Sequence, residues 1–356
     1  MKFLTIHGSY GEGGGQILRS TLALSILTGK PVRIVNIRAG RDKPGLRPQH
    51  LTGVQAGAAL SDATVTGAEV NSLTLTFQPH RLKSGHFHFD IGTAGAVTLV
   101  LQALLPPLCW ASRECRLTLK GGTHVPWSPS FHYLDRVFLP MVRPMGLSAE
   151  MTLRRAGWYP KGGGEITGKI SPVSKAGLSP RTLTQRGALR RVTVYALSSN
   201  LPNHIAQREC QQAVGRLRTS LAFEPDLKIL PLPAIGQGTM VMVVGEFEQT
   251  RVGFSAMGKI GKRAERVADE AIDQFLEFDR SDATVDRHLA DQLLLYLALA
   301  EGTSQMATNS LTEHVRTNIW LIEQFLPVKF QIEGELGATA IITVEGCGYR
   351  GKTELT

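Results

Sequence analysis

The N-terminal segment contains the pattern that decides the fold: residues 2–40 read KFLTIHGSYGEGGGQILRSTLALSILTGKPVRIVNIRAG. KFLTIHG predicts a β-strand, GQILRSTLALSILTG predicts a helix that ends at Gly29, and PVRIVNIRAG predicts a second strand. The next segments, PQHLTGVQAGAALS and SLTLTFQP, predict a further helix and a further strand. This alternation is typical of an α/β or α+β architecture.

The same succession of strands and helices returns further along the chain. It returns from HFHFDIG through an apolar helix near Ala94, CRLTLKGG and SFHYLDRVFLPMVRPMG to GGGEITGKI. It returns again near the C-terminus, from HLADQLLLYLALAEG to ATAIITVEG. Two glycine-rich segments, GEGGGQI at 11–17 and KGGGEI at 161–166, look alike. We interpret these features as three weakly similar β/α units.

A stretch of different character separates the second unit from the third. PVSKAGLSPRTLTQRG, at 172–187, is rich in Pro, Gly and Ser and predicts a linker. The segments that follow it have the size of a small βαββα domain. The predicted boundaries are 1–185 for the first two units, 186–278 for the inserted α/β domain, 279–345 for the third unit and 346–356 for a C-terminal tail.

The composition excludes several classes of protein. Hydrophobic residues make up 42% and charged residues 19% of the 356 residues, which excludes a disordered chain and a collagen-like repeat. The four cysteines form no CxxC pair, so the sequence predicts neither a zinc ribbon nor a redox dithiol. Reduced thiols in the cytoplasm are therefore expected.

The charge and the apolar segments indicate the kind of partner. The net charge of +9 favours an anionic partner such as RNA, DNA or a nucleotide. Only a short apolar run follows Met1 and Lys2, so no signal peptide is expected. The apolar stretch 94–111 is broken by Pro106 and Pro107, which predicts a buried helix of about three turns and no membrane partner.

The segment GEGGGQILRS, residues 11–20, is a candidate anion site. Consecutive glycines after a strand let the backbone approach a ligand closely, and the following helix offers free amides to an anion. Glu12 in such a loop suits a divalent metal held between its carboxylate and phosphates. A tight strand-to-helix turn without a ligand is the structural alternative.

The segment IRAGRDKPGLRPQH, residues 37–50, is a dense basic loop. Its glycines and prolines restrict its shape, and the guanidinium groups of Arg38 and Arg41 suit bidentate recognition of phosphate. A solvated surface without a ligand is the alternative interpretation.

His314 differs from the other histidines by its context. Ser310 and Glu313 have the spacing of a capping box, and an apolar stripe at helical spacing follows them. His314 is therefore expected in the first turn of a helix, where the helix dipole disfavours imidazolium and keeps a nucleophilic nitrogen available. A helix start a few residues later would leave His314 in the preceding loop.

Seven motifs along the chain are long and specific: GEGGGQILRS, IRAGRDKPGLRPQHL, GTAGAVTLVLQALLP, GGTHVP, RAGWYPKGGGEI, RHLADQLLLYLALA and LTEHVRTNIWLIEQFL. Together they resemble the RNA 3'-terminal phosphate cyclase family, from residue 3 to about residue 345. The resemblance implies a large domain of three repeated units, each with two helices on a four-stranded sheet, and a small α/β domain inserted before the third unit.

The resemblance also implies an activity. Members of the family use ATP to convert the 3'-phosphate end of an RNA into a 2',3'-cyclic phosphate. A histidine attacks the α-phosphate of ATP and releases pyrophosphate, the AMP passes to the RNA 3'-phosphate, and the vicinal 2'-hydroxyl then expels AMP. Adenylylation gives a poor electrophile a good leaving group. A divalent cation, Mg²⁺ or Mn²⁺, is implied as a cofactor, and a homodimer is left open.

The positions of the family motifs assign roles to individual residues. The nucleophilic histidine falls on His314 and the metal-associated glutamate on Glu12. The remaining positions fall into two groups, one around ATP and one around the phosphates and the RNA. The ATP group is Gln102, His288, Leu289, Ala290, Asp291 and Gln292, with Pro126 and Phe254 as candidates for sandwiching the adenine; the phosphate and RNA group is Arg19, Arg38, Arg41 and Gln49.

Two other functions remain as alternatives. Some proteins similar to the cyclases are non-catalytic ribosome-assembly factors that bind RNA and lack the histidine, and His314 argues against that class. Related threefold folds also include enolpyruvyl transferases, which need no adenylylated histidine. The K-x-D-G motif of nucleic-acid ligases with a lysine nucleophile is absent from the sequence.

Overall fold

The computed structural model describes residues 2–351 and shows a mixed α+β fold. Met1 and residues 352–356, which include the last part of the expected tail at 346–356, lie outside the described residues. Within residues 2–351 the strands form four four-stranded sheets, and no helix is long and apolar enough to cross a membrane.

The first sheet has the strand order β1-β2-β4-β3, with β1 parallel to β2 and the other neighbours antiparallel. The first helix ends where the sequence predicts, because Gly29 adopts the left-handed conformation that caps it. The elements of this first sheet and its helices are β1 (Leu4–His7), α1 (Gly15–Thr28), β2 (Val32–Val35), α2 (Pro48–Ser61), β3 (Thr64–Thr66) and β4 (Leu75–Gln78).

The second sheet repeats this order as β5-β6-β8-β7, again with a parallel first pair. Its first helix is buried and twelve residues long, or about three turns, as the sequence predicts, but Pro106 and Pro107 lie inside its last turn rather than after its end. A π-helical turn, Leu134–Phe138, joins two short helices. The elements are β5 (His86–Asp90), α3 (Val97–Leu108), β6 (Cys115–Gly121), α4 (Phe131–Tyr133), α5 (Leu139–Val142), β7 (Ser148–Arg155) and β8 (Gly164–Ser171).

The segment expected as a linker contains a two-residue strand, β9 (Thr182–Leu183). The segments after it form a sheet with a different strand order, β11-β10-β12-β13, which has one strand more than the βαββα pattern predicts. Two helices cover this sheet and share a separate hydrophobic core with it. The elements are β10 (Leu189–Ser199), α6 (Asn203–Arg218), β11 (Asp226–Pro231), β12 (Gly238–Phe247), β13 (Arg251–Met257) and α7 (Ala264–Asp279).

The remaining elements form a sheet with β9, in the order β15-β16-β14-β9. β9 is parallel to β14, and the other neighbours are antiparallel. Helix α1 packs against α2, α3 and α9, so helices from three sheets meet in one core. The elements are α8 (Arg287–Leu299), β14 (Glu301–Thr308), α9 (Glu313–Phe325), β15 (Phe330–Glu333) and β16 (Ala340–Cys347).

Candidate active site

An open cleft lies where the loop after β1, the basic loop before α2 and the start of α9 meet. The loops before α3 and after β6, together with the turn between β7 and β8, complete its walls. All six residues predicted for the catalytic, metal, phosphate and RNA sites line this cleft. They are Glu12, Arg19, Arg38, Arg41, Gln49 and His314, and Pro126 lies beside them.

Gln16 fixes the orientation and the tautomer of His314. The Gln16 amide donates from Nε2 to Asp291 Oδ2 and to the backbone carbonyl of His314, both at 3.1 Å. Its Oε1 therefore faces the imidazole, and His314 Nδ1 lies 2.5 Å from that oxygen. Because an amide oxygen only accepts hydrogen bonds, Nδ1 carries the proton and Nε2 keeps a free lone pair. Nε2 lies 3.8 Å from Glu12 Oε1.

His314 lies in the first turn of α9, as the sequence predicts. The helix begins at Glu313, and the Thr312 hydroxyl caps it by accepting a backbone N–H of the first turn at 3.2 Å. The expected capping box that starts at Ser310 is therefore wrong. The Ser310 hydroxyl donates instead to the Gly337 carbonyl at 3.3 Å.

The imidazole of His314 is neutral near pH 7. Burial is the main cause, and the positive charges of Arg19 and Arg41 add to it, so that the pKa of His314 is lowered to about 4. The side chain remains 48% exposed, so Nε2 can be reached from the cleft. A neutral, accessible imidazole nitrogen is the state that nucleophilic attack requires.

The glycine-rich loop holds Glu12 between α9 and the basic loop. The Glu12 backbone N–H donates to Thr317 Oγ1 at 3.2 Å, and the Glu12 carboxylate forms an ion pair with Arg41. Gly11 has a φ of +52°, and a Cβ at this position would collide with the Thr317 hydroxyl. Glycine is therefore required there both for the left-handed backbone and for the close approach to α9.

A second cavity adjoins the cleft, and Gln16 and Arg19 line both. Arg19 Nε donates to Gln102 Oε1 at 3.1 Å, and Asp291 and Gln292 lie in the same wall. Burial lowers the pKa of Arg19 to about 10. Burial raises the pKa of Asp291 to about 7, although the Arg19 charge opposes this shift. The cavity thus combines a cation, a titratable carboxyl and four side-chain amides, those of Gln16, Gln102, Gln292 and Asn318.

The basic loop uses part of its polar groups to hold its own shape. Arg38 Nη1 donates to the carbonyls of Lys43 at 2.7 Å and Gly45 at 3.0 Å, and Arg38 itself has a φ of +53°. Gln49 Oε1 accepts the Ala96 N–H at 2.9 Å, which joins the start of α2 to the loop before α3. The cleft therefore has a pre-formed basic wall.

Three other residues predicted to bind ATP lie in the first turn of α8 and line neither the cleft nor the second cavity. His288 is exposed in the first turn of α8, whereas the Leu289 and Ala290 side chains are fully buried in the main core. Leu289 and Ala290 line neither cavity, so their place in α8 serves packing.

Phe254 lies in the core of the β10–β13 sheet and lines neither cavity. The side chain is 2% exposed, and its ring centroid lies 6.4 Å from that of Phe275 and 5.7 Å from that of Phe278. A ring enclosed in this way has no face free for a base. The expectation that Phe254 sandwiches the adenine therefore does not fit this arrangement, and the site below omits it.

The sequence analysis missed two polar residues that support the site. Gln16 connects Asp291 to His314, and Asn318 donates from Nδ2 to the Asp291 carbonyl at 3.0 Å while its Oδ1 accepts from the Ser20 hydroxyl at 2.8 Å. Gln16 is 3% exposed and lies in the first turn of α1, whose other buried residues are mostly apolar. A polar residue on the buried face of an apolar helix is the signal that would have found it.

Among residues 2–351, no group of three or more His, Cys, Asp or Glu side chains is arranged to hold a metal ion. Glu12 is the carboxylate of the cleft, so a divalent cation there would take its other oxygen ligands from a bound polyphosphate and from water. One carboxylate with phosphate and water oxygens is a common donor set for Mg²⁺ at nucleotide sites. The residues present therefore fit a cation that arrives with a nucleotide.

Comparison with known proteins decides the family. The family model of RNA 3'-terminal phosphate cyclase matches residues 10–332. The chain belongs to the RNA 3'-terminal phosphate cyclase family. Every residue that lines the cleft, from Glu12 to His314, lies inside the range that the cyclase model matches.

Relatives with the name RNA 3'-terminal phosphate cyclase match nearly the whole chain. The protein of Thermococcus onnurineus is 45% identical over 97% of this chain and the whole of that protein. That of Desulfurococcus amylolyticus is 42% identical over 98% of this chain and the whole of that protein. That of Gloeothece citriformis is 44% identical over 90% of this chain and 93% of that protein.

A solved structure, the enolpyruvyl transferase NikO from Streptomyces tendae, aligns with 98% of this cyclase-family chain and 49% of that chain. Its TM-score is 0.38 and its identity 11%, and a likeness this weak supports no inference about function.

Proposed function

We propose that this chain uses ATP to convert an RNA 3'-terminal phosphate into a 2',3'-cyclic phosphate through a covalent His314–AMP intermediate. The observation that carries the proposal is the contact between His314 Nδ1 and Gln16 Oε1, which leaves Nε2 as a free nucleophile in a cleft lined by arginines. The family match and the names of the relatives support the substrate.

In the first step, His314 Nε2 attacks the α-phosphorus of ATP. A nitrogen–phosphorus bond forms, the bond to the bridging oxygen breaks, and pyrophosphate leaves. Positive charge develops on the imidazole, and Gln16 Oε1 stabilises it by accepting the Nδ1–H hydrogen bond. Arg19 and Arg41 stabilise the negative charge of the phosphates.

In the second step, an oxygen of the RNA 3'-phosphate attacks the phosphorus of the adduct and displaces neutral His314 Nε2. In the third step, the vicinal 2'-hydroxyl attacks the activated 3'-phosphate, gives its proton to water and expels AMP. The basic wall with Arg38, Arg41 and Gln49 is the surface that we assign to the RNA phosphate. Holding the reacting groups together in one cleft makes both transfers intramolecular.

The nucleotide site extends into the cavity beside Arg19. Gln102, Asp291 and Gln292 offer amide and carboxyl groups to the polar edge of a nucleotide, and Pro126 offers an apolar surface at the cleft. Asp291 has a pKa raised to about 7, so near neutral pH it can either accept or donate a hydrogen bond.

Glu12 is the residue that would hold a divalent cation, Mg²⁺ or Mn²⁺, together with the phosphates of ATP. Such a cation supplies neutralisation of the negative charge on the departing pyrophosphate. The backbone of Glu12 is fixed on Thr317, so the carboxylate is placed by the same helix that carries His314.

We also propose that the fold consists of three repeated βαβαββ units, each with two helices on a four-stranded sheet, and an inserted small α/β domain. Three sheets share one strand order and a parallel first pair, and the β10–β13 sheet differs in order and has its own core. Because β9 pairs with β14, the insert expected at 186–278 would lie within the third unit, between β9 and α8.

The proposed partners are ATP and an RNA with a 3'-phosphate end, and the proposed location is the cytoplasm. All four cysteines lie within the described residues and are unpaired, which supports a reducing compartment. The net charge of +9 supports an anionic macromolecule as substrate.

The proposal is tested by incubating the protein with ATP labelled in the α-phosphate and a divalent cation, without RNA. We expect label on the protein and release of pyrophosphate. Adding RNA with a 3'-phosphate should discharge the label and produce a cyclic end, whereas RNA with a 3'-hydroxyl should leave the label in place. A non-catalytic RNA-binding factor or an enolpyruvyl transferase would never acquire the label, and an unlabelled wild-type protein would therefore overturn the proposal.

A further inference from the structure

Two exposed aromatic residues border the cleft without serving the fold. The indole of Trp127 is 98% exposed and the phenol of Tyr159 is 68% exposed, and both residues line the cleft. Tyr10, another exposed aromatic of the described chain, stacks its ring on Trp320 with 3.9 Å between centroids. Large apolar side chains exposed at a cleft usually mark a binding surface.

The loop that carries Trp127 is held in place. The Thr98 hydroxyl donates to the Pro129 carbonyl at 2.7 Å, and the Ser128 hydroxyl donates to the Val125 carbonyl at 3.0 Å. Trp127 has a φ of +59°, a conformation that is unfavourable for a bulky side chain. A strained backbone that presents an unpacked indole to solvent indicates function rather than stability.

Tyr159 comes from a neighbouring and equally fixed segment. His124 and Trp158 form a backbone bridge, which brings the loop after β6 beside the turn after β7. Trp158 is buried, and its Nε1 donates to the Ser199 hydroxyl at 2.8 Å. The two exposed rings therefore stand on adjacent, anchored loops at one side of the cleft.

The charge of the cleft identifies the kind of ligand. Arg38 and Arg41 of the basic loop line the same cleft, and the exposed Lys161 follows Tyr159 by two residues. Exposed aromatic rings beside a row of cations are the arrangement with which proteins bind single-stranded nucleic acid: the cations hold the backbone and the rings stack on the bases. Trp127 lines the open cleft together with Arg38 and Arg41 and is absent from the cavity with Gln102 and Asp291.

We propose that Trp127, flanked by Tyr159, is a stacking platform for a base at the 3' end of the RNA substrate. This inference rests on the proposed function, because it assumes that the RNA whose 3'-phosphate meets His314 passes over the side of the cleft that carries Trp127 and Tyr159. Stacking tolerates any base, so the platform would position the end without selecting a sequence.

The test measures binding of a 3'-phosphorylated oligoribonucleotide in the absence of ATP, so that no turnover occurs. Trp127→Ala should weaken binding roughly tenfold, and Trp127→Phe should retain most of the affinity because a phenyl ring also stacks. The oligonucleotide should quench tryptophan fluorescence in the wild-type protein, and most of this quenching should be lost in Trp127→Phe. Trp110, Trp158 and Trp320 remain in that variant and report on its folding.

A second substitution, made in the RNA, identifies the contact as stacking. An oligonucleotide with abasic terminal nucleotides should bind the wild-type protein more weakly, but should lose no further affinity with Trp127→Ala. Unchanged RNA affinity in Trp127→Ala would overturn the inference, as would weaker binding of ATP with unchanged binding of RNA. The labelling of wild-type protein by ATP is scored separately, so a missing adduct would refute the proposed function without deciding the role of Trp127.

Discussion

The two glycine-rich segments, 11–17 and 161–166, have similar sequences and different structures. The first joins β1 to α1, and its Gly11 lies against α9, which places Glu12 near His314. The second joins two antiparallel strands, β7 and β8, and its Gly163 faces the exposed side chain of Ile235. In both places, therefore, the repeated glycines form a turn with left-handed backbone. The element that follows, a helix or a strand, determines which residues the turn positions.

The likeness of the two segments is not a sign of repeated units, because the segments occupy non-equivalent places, before a helix and before a strand. The support for the repeats is the shared order of three sheets instead. If only the first segment serves chemistry, adduct formation must depend on residues that contact the first segment and not on those that contact the second.

The largest effect is expected at His314, which faces the first segment. His314→Ala and His314→Asn should abolish labelling by ATP without unfolding the protein, because the side chain is half exposed and its loss leaves no cavity. The wild-type adduct should break down in mild acid and survive alkali, as a phosphoramidate does. Glu313→Gln, one residue away, serves as the control and should still be labelled. An acid-stable adduct would contradict the histidine assignment.

A matched pair of glycine substitutions tests the comparison directly. Gly11 and Gly163 have φ values of +52° and +68°, so alanine at either position should cost roughly 1–2 kcal/mol of folding free energy. Gly11→Ala should also slow labelling by about a hundredfold, because its Cβ meets Thr317 on the helix of His314. Gly163→Ala meets only the flexible end of Ile235 and should be labelled at the wild-type rate.

Thermal melts and labelling time courses on the same samples would separate the two effects. A somewhat larger loss of stability in Gly11→Ala, with loss of labelling in that variant alone, is the expected outcome. If both variants are labelled equally fast at a temperature where both are folded, the first segment has no special role in placing Glu12 and His314.

Gln16 should contribute less than His314, because it positions the imidazole and does not react. Gln16→Leu removes the acceptor of the Nδ1–H bond and lets the proton occupy Nε2, so labelling should slow about ten- to hundredfold. Gln16→Glu keeps an acceptor and should recover part of the rate, at pH values where Asp291 is protonated and does not repel it. Equal rates for Gln16→Leu and Gln16→Glu would indicate that Gln16 serves only packing.

The sequence predicts the helices of this site better than its contacts. The bounds of α2 agree with the predicted segment PQHLTGVQAGAALS, because Pro48 at its first position is a start signal within its own residues. Strand β9 was missed because its two residues are defined by pairing with β14, more than a hundred residues later.

The candidate site shows the same limit. Glu12 and His314 were predicted from local motifs, and the structure brings them within 3.8 Å. Gln16 was missed because its partners, Asp291 and His314, lie about three hundred residues away in the sequence. Phe254 was misplaced because an apolar residue in an alternating strand faces either a ligand or a core, and only the packing of α7 decides between them.

The smallest effect concerns the pH dependence of labelling, and it distinguishes two arginines of the same basic loop. Arg41 lowers the pKa of His314 to about 4 together with burial and Arg19, whereas Arg38 is not among the causes of that shift. Attack needs the unprotonated imidazole, so wild-type labelling should persist well below the ordinary histidine pKa of about 6.5.

Arg41→Ala removes a positive charge, so the pKa of His314 should rise. The acid limb of the pH–rate profile, where the rate falls because the imidazole is protonated, should then move to higher pH. Arg38→Ala should lower the rate at every pH and leave the acid limb in place. The measurement is the initial rate of pyrophosphate release from about pH 3 to 8 at constant ionic strength, because the wild-type limb is expected near pH 4 and the adduct itself is acid-labile, with each profile normalised to its own plateau. A limb that stays in place in Arg41→Ala, or that moves equally in both variants, would show that the charge next to Glu12 does not tune the nucleophile.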